Sequence, residues 1–351
     1  MDLIHPQTRG DLVDALRTAG ADGRRVLVVG GRRHLDKGNP SEVDAELWTT
    51  QLDRVISYEP AEMIAVVEAG MRFGELDRVL AEGGQEWPAD APADATVGGI
   101  IAAAVNSPRR LRVGAIRDTV LEVELVTGDG RLVRGGGRTV KNVTGYDLPR
   151  LATGSLGTLG VIVQVALKLR PRPRAASTLF ADGDGLELGA RVLERVPAVA
   201  GALATATTVE VRLEGWEEET REQAALAQRE LPGLRPLADG SAFPASAPWA
   251  GHPVVAEAAV PPSKVPAVAG AAGDAWGASL GMGLVWCGLR SDDGPLRTLR
   301  ARVEELGGVA PVVQGPGGLG GTLPAADVHR RLKAAFDPAG VLAPGRFWGG
   351  I

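Results

Sequence analysis

The hydrophobic and polar positions of the first 170 residues alternate between helical and extended periods. Leu12 and Leu16 recur at helical spacing after Thr8 or Asp11, either of which can cap the helix. Short apolar runs between turn residues predict strands, and one amphipathic stretch between them predicts a second helix. The predicted strands are 26–29, 55–58, 64–67 and 120–126, and the second helix is 73–81. This mixture predicts an α+β fold.

The pattern changes after residues 170–173, which read Arg-Pro-Arg-Pro. Prolines favour an extended linker, and the composition beyond them shifts toward Ala, Gly and Pro, so we place a domain boundary near residue 172. The expected domains are 1–172, a cap at 173–325, and a C-terminal return to the first lobe at 326–351. Within the cap, patterns predict helices at 185–195 and 217–230 and strands at 209–213, 254–260 and 283–289.

A glycine-rich turn precedes the apolar strand predicted at 161–169. Gly154, Gly157 and Gly160 lie where a backbone would approach a ligand, because glycine accepts positive φ and leaves room beside it. Polar residues precede the turn: Lys141, Asn142 and Asp147. Three glycines alone are equally compatible with an ordinary turn before a buried strand.

Residues 141–162, KNVTGYDLPRLATGSLGTLGVI, resemble the signature of FAD-binding domains of the vanillyl-alcohol oxidase and p-cresol methylhydroxylase (PCMH) type. Within that superfamily they are most similar to the FAD-binding subunits of bacterial glycolate oxidases. The segments 25–40, 87–118 and 336–347 resemble the family's pyrophosphate loop, second flavin loop and closing motif, in that order. Four ordered matches are more specific than any one glycine cluster.

The resemblance implies a two-lobe PCMH-type FAD-binding domain with an α+β cap domain, and FAD held non-covalently. It also implies a set of cofactor-binding residues in the three N-terminal segments. They are Gly30, Gly31, Arg32, Arg33, His34, Thr96, Val97, Gly98, Gly99, Ser107, Asp147, Gly154, Ser155, Gly157, Gly160 and Ile162. His34 lies beyond the spacing of the histidine that carries covalent flavin in some relatives, so a non-covalent cofactor is expected.

Six positions depart from the family pattern, the first being Val29, where the family often has Arg. Arg32 and Arg33 stand where the family usually has Gly and Thr, Ala104 and Ala343 replace Asn, and Ser107 replaces Gly. A bulky residue at positive φ costs about 1–3 kcal/mol. Either the pyrophosphate loop bends differently, or an arginine side chain contacts the diphosphate in place of lost amide contacts.

Charge and hydropathy exclude some partners. The net charge of −5 does not suit a nucleic-acid-binding protein, and no run approaches the roughly 18 apolar residues of a membrane span, so we expect a cytoplasmic protein. The basic run Arg109, Arg110 and Arg112 is interpreted as a solvated loop, with a docking patch as the alternative. The apolar stretch 275–289 is interpreted as a buried strand.

The single cysteine restricts redox chemistry. Cys287 lies in an apolar context and is predicted to be buried, and one cysteine cannot ligate an iron–sulfur cluster by itself. The four histidines lie in separate regions, so no metal site is predicted. We therefore expect any cluster on a separate iron–sulfur subunit.

FAD enzymes of this type oxidise alcohols or small 2-hydroxy acids, which requires a cation for a carboxylate and a base. The cap offers His252, predicted to be a loop residue, and arginines better explained by pairing on a helix surface: Arg290, Arg297, Arg300 and Arg302. A paralogous flavin subunit is therefore expected to carry the substrate site. The alternatives are a scaffold subunit that has lost FAD, and a self-sufficient FAD-dependent alcohol or sugar oxidase.

Overall fold

The computed structural model describes residues 1–138, 145–237, 243–273 and 275–351. Lys141 and Asn142, named above beside the glycine turn, lie outside these residues. The helices that follow all have at least four residues. They are α1 (Arg9–Ala21), α2 (Phe73–Glu82), α3 (Val97–Ala102), α4 (Arg110–Val113), α5 (Leu148–Ala152), α6 (Gly185–Arg195), α7 (Glu217–Glu230), α8 (Val265–Ala269), α9 (Gly294–Glu305) and α10 (Ala326–Phe336).

The strands range from two to eight residues. They are β1 (Asp2–Ile4), β2 (Val26–Val29), β3 (Ala45–Trp48), β4 (Val55–Glu59), β5 (Ile64–Glu68), β6 (Gln85–Glu86), β7 (Val120–Val126), β8 (Leu132–Gly136), β9 (Val161–Lys168), β10 (Arg170–Pro171), β11 (Ala175–Asp182), β12 (Val199–Ala204), β13 (Thr208–Gly215), β14 (Arg235–Pro236), β15 (Val254–Ala259), β16 (Trp276–Ser279), β17 (Leu284–Leu289) and β18 (Val312–Gln314).

The chain divides into two compact units. The first unit comprises Met1–Asn106, Ala115–Arg172 and Thr322–Ile351, and the second comprises Ser107–Gly114 and Pro173–Gly321. Among the described helices there is none whose length and apolar content would let it cross a membrane.

Two sheets form the framework of the first unit. One is parallel, in the order β1-β3-β2, and the other is antiparallel, in the order β4-β5-β9-β7-β8. Thr8 starts α1 with a capping box, in which its side chain accepts from the Asp11 amide and Asp11 accepts from the Thr8 amide. Leu12 and Leu16 of α1 are fully buried against the parallel sheet, so the predicted apolar face of this helix is confirmed.

The C-terminal segment of the first unit closes beside β2. The Val26 amide donates to Val341 O at 2.7 Å, and the Ala343 amide donates to Val26 O at 3.0 Å. Leu342 is fully buried. Backbone pairing across more than 300 residues therefore fixes the position of the segment that contains Arg346.

The second unit is built on one antiparallel sheet, in the order β14-β11-β13-β12-β16-β17-β15-β18. Its main core contains Cys287, which is fully buried as predicted. The prediction of a single strand at 275–289 was wrong, because Gly281 and Gly283 turn the chain at φ of 78° and 71° between β16 and β17.

The basic run at 109–112 also differs from its first interpretation. The Arg109 side chain is only 14% exposed, and its Nη1 lies 3.2 Å from Glu214 Oε1, on a carboxylate that is 1% exposed. The same carboxylate accepts from Arg212 Nε at 3.2 Å. Arg109 thus belongs to a buried ionic cluster of the second unit and not to a solvated loop.

Candidate cofactor site

A cleft of about 670 Å³ lies within the first unit, at the carboxyl end of β2. Its walls are the loop after β2, the beginning of α3, the turn before β9, and Arg346 of the C-terminal segment. Eleven of the predicted cofactor-binding residues line it: Gly30, Gly31, Arg32, Arg33, His34, Thr96, Gly98, Gly99, Gly157, Gly160 and Ile162. The structure thus brings residues from three separate sequence segments to one concave surface.

The first two glycines of the loop are required by close packing. A Cβ on Gly30 would lie 2.1 Å from Thr96 Oγ1, and a Cβ on Gly31 would lie 2.2 Å from Asp94 O. Contacts this short do not occur in proteins, so a side chain at either position would push the loop away from the segment before α3. Thr96 caps α3 by accepting from the Gly99 amide at 3.3 Å, which fixes the other side of this contact.

The loop after β2 presents unpaired backbone donors. Within the described part of the chain, no group accepts a hydrogen bond from the amides of residues 31–35. Arg32 has a φ of 62°, in the left-handed region, and a left-handed residue next to ordinary ones turns successive amides toward one side. Such a row of N–H groups attracts anionic oxygens, and phosphate groups above all.

Arg32 is anchored by a buried carboxylate. Its Nη1 donates to both oxygens of Glu46 at 3.1 and 3.0 Å, and its Nη2 donates to Oε1 at 2.5 Å. The Glu46 side chain is 3% exposed and also accepts from Trp48 Nε1 at 3.1 Å. The Arg32 guanidinium lies 5.4 Å from the centre of the Trp48 ring. These contacts hold a bulky residue in a backbone conformation that favours glycine.

Arg33 is held by Asp94, which directly precedes the lining residues Ala95 and Thr96. Its Nε donates to the two carboxylate oxygens at 2.7 and 2.8 Å, and its Nη2 also bonds Asp94 Oδ2. Hydrogen bonding to Arg33 keeps the pKa of Asp94 below its ordinary value. Both loop arginines are therefore engaged by protein carboxylates, and the groups that the loop leaves open are its amides.

Two further side chains of the cleft carry polar atoms that the protein leaves unpaired. His34 Nε2 and Arg346 Nε are buried and have no hydrogen-bond partner. Burial, followed by repulsion from Lys37 and Arg33, lowers the pKa of His34 to about 4, so the ring is neutral at pH 7. Arg346 donates through Nη2 to Leu35 O at 2.7 Å, and burial lowers its pKa. Unpaired buried polar atoms are unfavourable, so a bound ligand that satisfied them would be stabilised.

The remaining predicted residues lie elsewhere. Val97 is fully buried in the core, Asp147 caps α5, and Ser107 belongs to the second unit. Gly154 and Ser155 line a different cavity of the first unit. None of these five lines the cleft.

The site prediction missed Arg346, although it lies in the tail segment whose resemblance to the family was noted. It also missed apolar lining residues, among them Val28, Leu35 and Leu156. Apolar wall residues have no signature in sequence, because the same residue types fill every core. Arg346, by contrast, could have been predicted, because it lies in the segment that resembles the family's closing motif.

Both alanines that replace asparagine, Ala104 and Ala343, adopt left-handed backbone conformations. Ala104 has a φ of 46° and Ala343 a φ of 38°. Ala104 lies two residues after the end of α3, where the Gly154 amide donates to Ile101 O at 3.0 Å. The chain thus keeps a backbone conformation that Asn and Gly adopt readily, with residues that resist it.

The cleft suits a cofactor with a diphosphate. It combines a tightly packed glycine turn, a row of backbone amides without an acceptor among the described residues, and one unpaired polar atom on each of two side chains, His34 and Arg346. FAD has a diphosphate at its centre, so the residues present fit that group.

Comparison with known proteins identifies the class. Residues 3–136 match the family described as FAD binding domain. Two solved structures of alkyldihydroxyacetonephosphate synthase share the fold, with TM-scores of 0.73 and 0.72 over 97% of this chain and 75% and 76% of theirs, at 15% and 14% identity. The protein is therefore an FAD-binding oxidoreductase with the PCMH-type fold, and its cofactor is FAD.

The relatives narrow this class. Along 96% of both chains, the protein is 29% identical to glycolate oxidase subunit GlcE of Escherichia coli K12, and it is a homologue of that subunit. It is also 31% identical to D-lactate dehydrogenase of Archaeoglobus fulgidus and 30% identical to glycolate oxidase subunit GlcD of Bacillus subtilis. These two matches cover 50% and 45% of this chain and only 40% and 34% of the relatives. The predicted family and cofactor are confirmed.

Proposed function

We propose that this chain is the FAD-binding subunit of a complex that oxidises small 2-hydroxy acids and passes the electrons to a partner. The observation that carries the proposal is the cleft at the end of β2, which is lined by residues 31–35 and Arg346 and in which the amides of residues 31–35 have no acceptor among the described residues. Glycolate, D-lactate and D-2-hydroxyglutarate, the acids named for the relatives, are all 2-hydroxy acids.

The residues of this chain would bind and orient the cofactor non-covalently. When bound, FAD supplies a redox centre that accepts electrons and passes them on. The loop amides would hold the diphosphate, and Arg346 would add positive charge from the C-terminal segment. Gly157 and Gly160 line the cleft, and they lack side chains where a Cβ would lie 3.3 Å from Val28 Cβ and 2.5 Å from Leu125 Cδ1, respectively, so they allow this wall to pack against the sheets.

The electron acceptor is proposed to lie on a partner. Cys287 is the single cysteine, it is fully buried, and burial raises the pKa of its thiol to about 12. A buried neutral thiol is a poor metal ligand, because metals bind the thiolate. An iron–sulfur subunit beside a paralogous flavin subunit would accept the electrons. The names of the relatives, two lettered subunits of glycolate oxidase, support such an assembly.

Of the four cap arginines predicted to pair on a helix surface, Arg300 and Arg302 are engaged by the protein, whereas Arg290 and Arg297 are exposed and form no ion pair within the described residues. Arg300 donates to three backbone carbonyls, Ala310 O at 3.0 Å, Gly317 O at 2.9 Å and Gly318 O at 2.6 Å. Arg302 pairs with Glu305 at 2.9 Å. Arg302 therefore behaves as predicted for a helix surface, whereas Arg300 stabilises a loop, and neither presents a free cation to a substrate carboxylate.

A scaffold subunit that has lost FAD is the second candidate. It is favoured by one observation, the three non-glycine residues held at positive φ where the family has Gly or Asn: Arg32, Ala104 and Ala343. Strain at these positions reduces stability without removing the open amides of the loop. The residues at these three positions therefore differ from the family pattern, while the loop still has amides without an acceptor within the described chain.

One experiment separates the candidates. The full chain is purified, titrated with FAD, and then mixed anaerobically with glycolate or D-lactate while flavin absorbance is followed. The proposal expects a flavin spectrum and a saturable dissociation constant, but little bleaching until the partner subunits are added. A preparation that cannot be reconstituted with FAD would establish the scaffold. Full bleaching of the isolated chain at a rate compatible with turnover would instead indicate a self-sufficient oxidase.

A further inference from the structure

His34 is the side chain of the cleft whose chemistry the proposed function does not yet use. The imidazole is half-buried, lines the cleft, and has an Nε2 atom that no group of the described chain satisfies. The proposed function holds the diphosphate through the loop amides and Arg346 and does not state what the imidazole contributes. A buried nitrogen without a partner is costly, so a ligand that supplies one should bind more tightly.

The charges that act on the His34 ring are positive. Arg33 and Lys37 lie in its own loop and repel a proton on the ring, and Arg346 approaches from the C-terminal segment. Asp36 and Asp94 are the nearby carboxylates, and they act on Arg346 and Arg33 respectively. No carboxylate of the described residues forms an ion pair with the imidazole. Without ligand, the site therefore keeps His34 neutral.

A bound diphosphate would favour the protonated form of His34 over the neutral form. Its oxygens bring negative charge to a place where the protein supplies amides and guanidinium groups but no counter-ion for the ring. An opposite charge within about 4–6 Å favours the protonated form of histidine. The protonated ring has donors at both nitrogens, which would also satisfy Nε2.

We infer that His34 contacts the diphosphate of FAD and takes up a proton as the cofactor binds, which makes cofactor affinity depend on pH. The inference rests on the proposed function, because it requires FAD in this cleft. The sign follows from linkage: a ligand that raises the affinity of a group for protons binds more tightly as the pH falls through the pKa of the complex. A pKa of ~6 in the complex would give about fourfold tighter binding at pH 5.5 than at pH 7.5.

The test measures the dissociation constants of FAD, ADP and adenosine with the full chain at pH 5.5 and pH 7.5. Wild type, His34→Gln and the matched control His252→Gln are compared, with thermal unfolding as a check on folding. Wild type and the control are expected to bind FAD, whose diphosphate does not titrate in this range, more tightly at the lower pH; ADP, whose terminal phosphate has a second pKa of about 6, is used only to show that the diphosphate binds. His34→Gln should bind FAD with little pH dependence, because the amide cannot titrate. Adenosine lacks the diphosphate and should show no pH dependence.

A direct readout accompanies the affinities. The chain has four histidines, so the imidazole NMR signal missing from His34→Gln identifies His34, and its pKa should rise on adding FAD. Equal affinity at both pH values, or the same pH dependence in His34→Gln as in wild type, would overturn this inference and leave the proposed function standing. A wild-type chain that binds no FAD at either pH would overturn both.

Discussion

Several non-glycine residues of this protein, among them Arg32, Ala104 and Ala343, adopt left-handed backbone conformations. At Ala104 the φ of 46° is one that alanine adopts at a cost of about 1–2 kcal/mol, whereas glycine adopts it freely. Ala104→Gly is therefore expected to raise the free energy of unfolding by about 0.5–1 kcal/mol, after the greater entropy of glycine in the unfolded chain is counted. Urea denaturation of the FAD-free chain measures it.

The matched control for this change is Ala102→Gly, two residues earlier and inside α3. Ordinary helical backbone gives glycine no advantage, so this substitution should lower stability by about 0.5–1 kcal/mol. Opposite signs for the two substitutions are the expected result. A loss of stability at both positions would contradict the presence of strain at Ala104.

The neutral state of His34 also predicts a pH dependence of stability in the FAD-free protein. The folded pKa is about 4 and the ordinary value is 6.5, so between these values the unfolded chain binds the proton and the folded chain does not. Stability should therefore fall as the pH decreases from 7 to 5, by on the order of 1–2 kcal/mol from this residue. Urea denaturation at both pH values should show a smaller loss in His34→Gln than in wild type. An identical loss would disprove the lowered pKa.

At the scale of elements, α10 is fixed to the first unit by a buried ion pair. The Lys333 ammonium donates to Asp337 Oδ2 at 2.7 Å, to Leu342 O at 2.7 Å and to Thr158 O at 2.8 Å. Asp337 is completely buried and also accepts from the amides of Val341 and Leu342 at 2.9 Å. This cluster joins the helix, the turn before β9 and the closing segment.

Removing one member of the pair should be costly, because the other charge remains buried. Asp337→Ala is expected to lower the free energy of unfolding by about 3–5 kcal/mol, whereas Arg330→Ala, in an exposed pair with Asp327 on the same helix, should cost about 0.5 kcal/mol or less. Urea denaturation of both variants gives the comparison. Similar small losses in the two variants would show that the Lys333–Asp337 pair contributes nothing beyond a surface pair.

Elements with a local signal were predictable from sequence, and those that depend on distant partners were not. The helix predictions 185–195 and 217–230 coincide with α6 and α7. The spacing of apolar and polar residues that predicts each helix lies entirely within its own segment. In the site, the glycines could be identified from the sequence. The pairing of Arg32 with Glu46 and of Arg33 with Asp94 could not, because those partners are 14 and 61 residues away and only the fold brings them together.

At the scale of the whole molecule, the first unit is assembled from both ends of the chain. Residues 341–343 pair with β2, and Arg346 contacts the carbonyls of Leu35 and Lys37 in the loop that the cleft uses. Arg346 is 7% exposed, and a Cβ on Gly38 would lie 2.8 Å from its guanidinium carbon. The loop and the closing segment therefore support each other, and we propose that residues 1–172 and 326–351 fold as one FAD-binding lobe interrupted by the cap.

This arrangement predicts different results for two truncations. Deleting residues 336–351 removes the pairing with β2, the buried carboxylate of Asp337 and the cleft residue Arg346, so it should lower both the melting temperature and FAD affinity, the latter at least tenfold. Deleting only residues 348–351 leaves all three in place and should change FAD affinity by less than about threefold. Thermal unfolding and FAD titration of both truncated chains measure these effects. If the longer truncation kept wild-type melting and affinity, the closing segment would have no part in the FAD lobe, because every contact argued for it is absent from that chain.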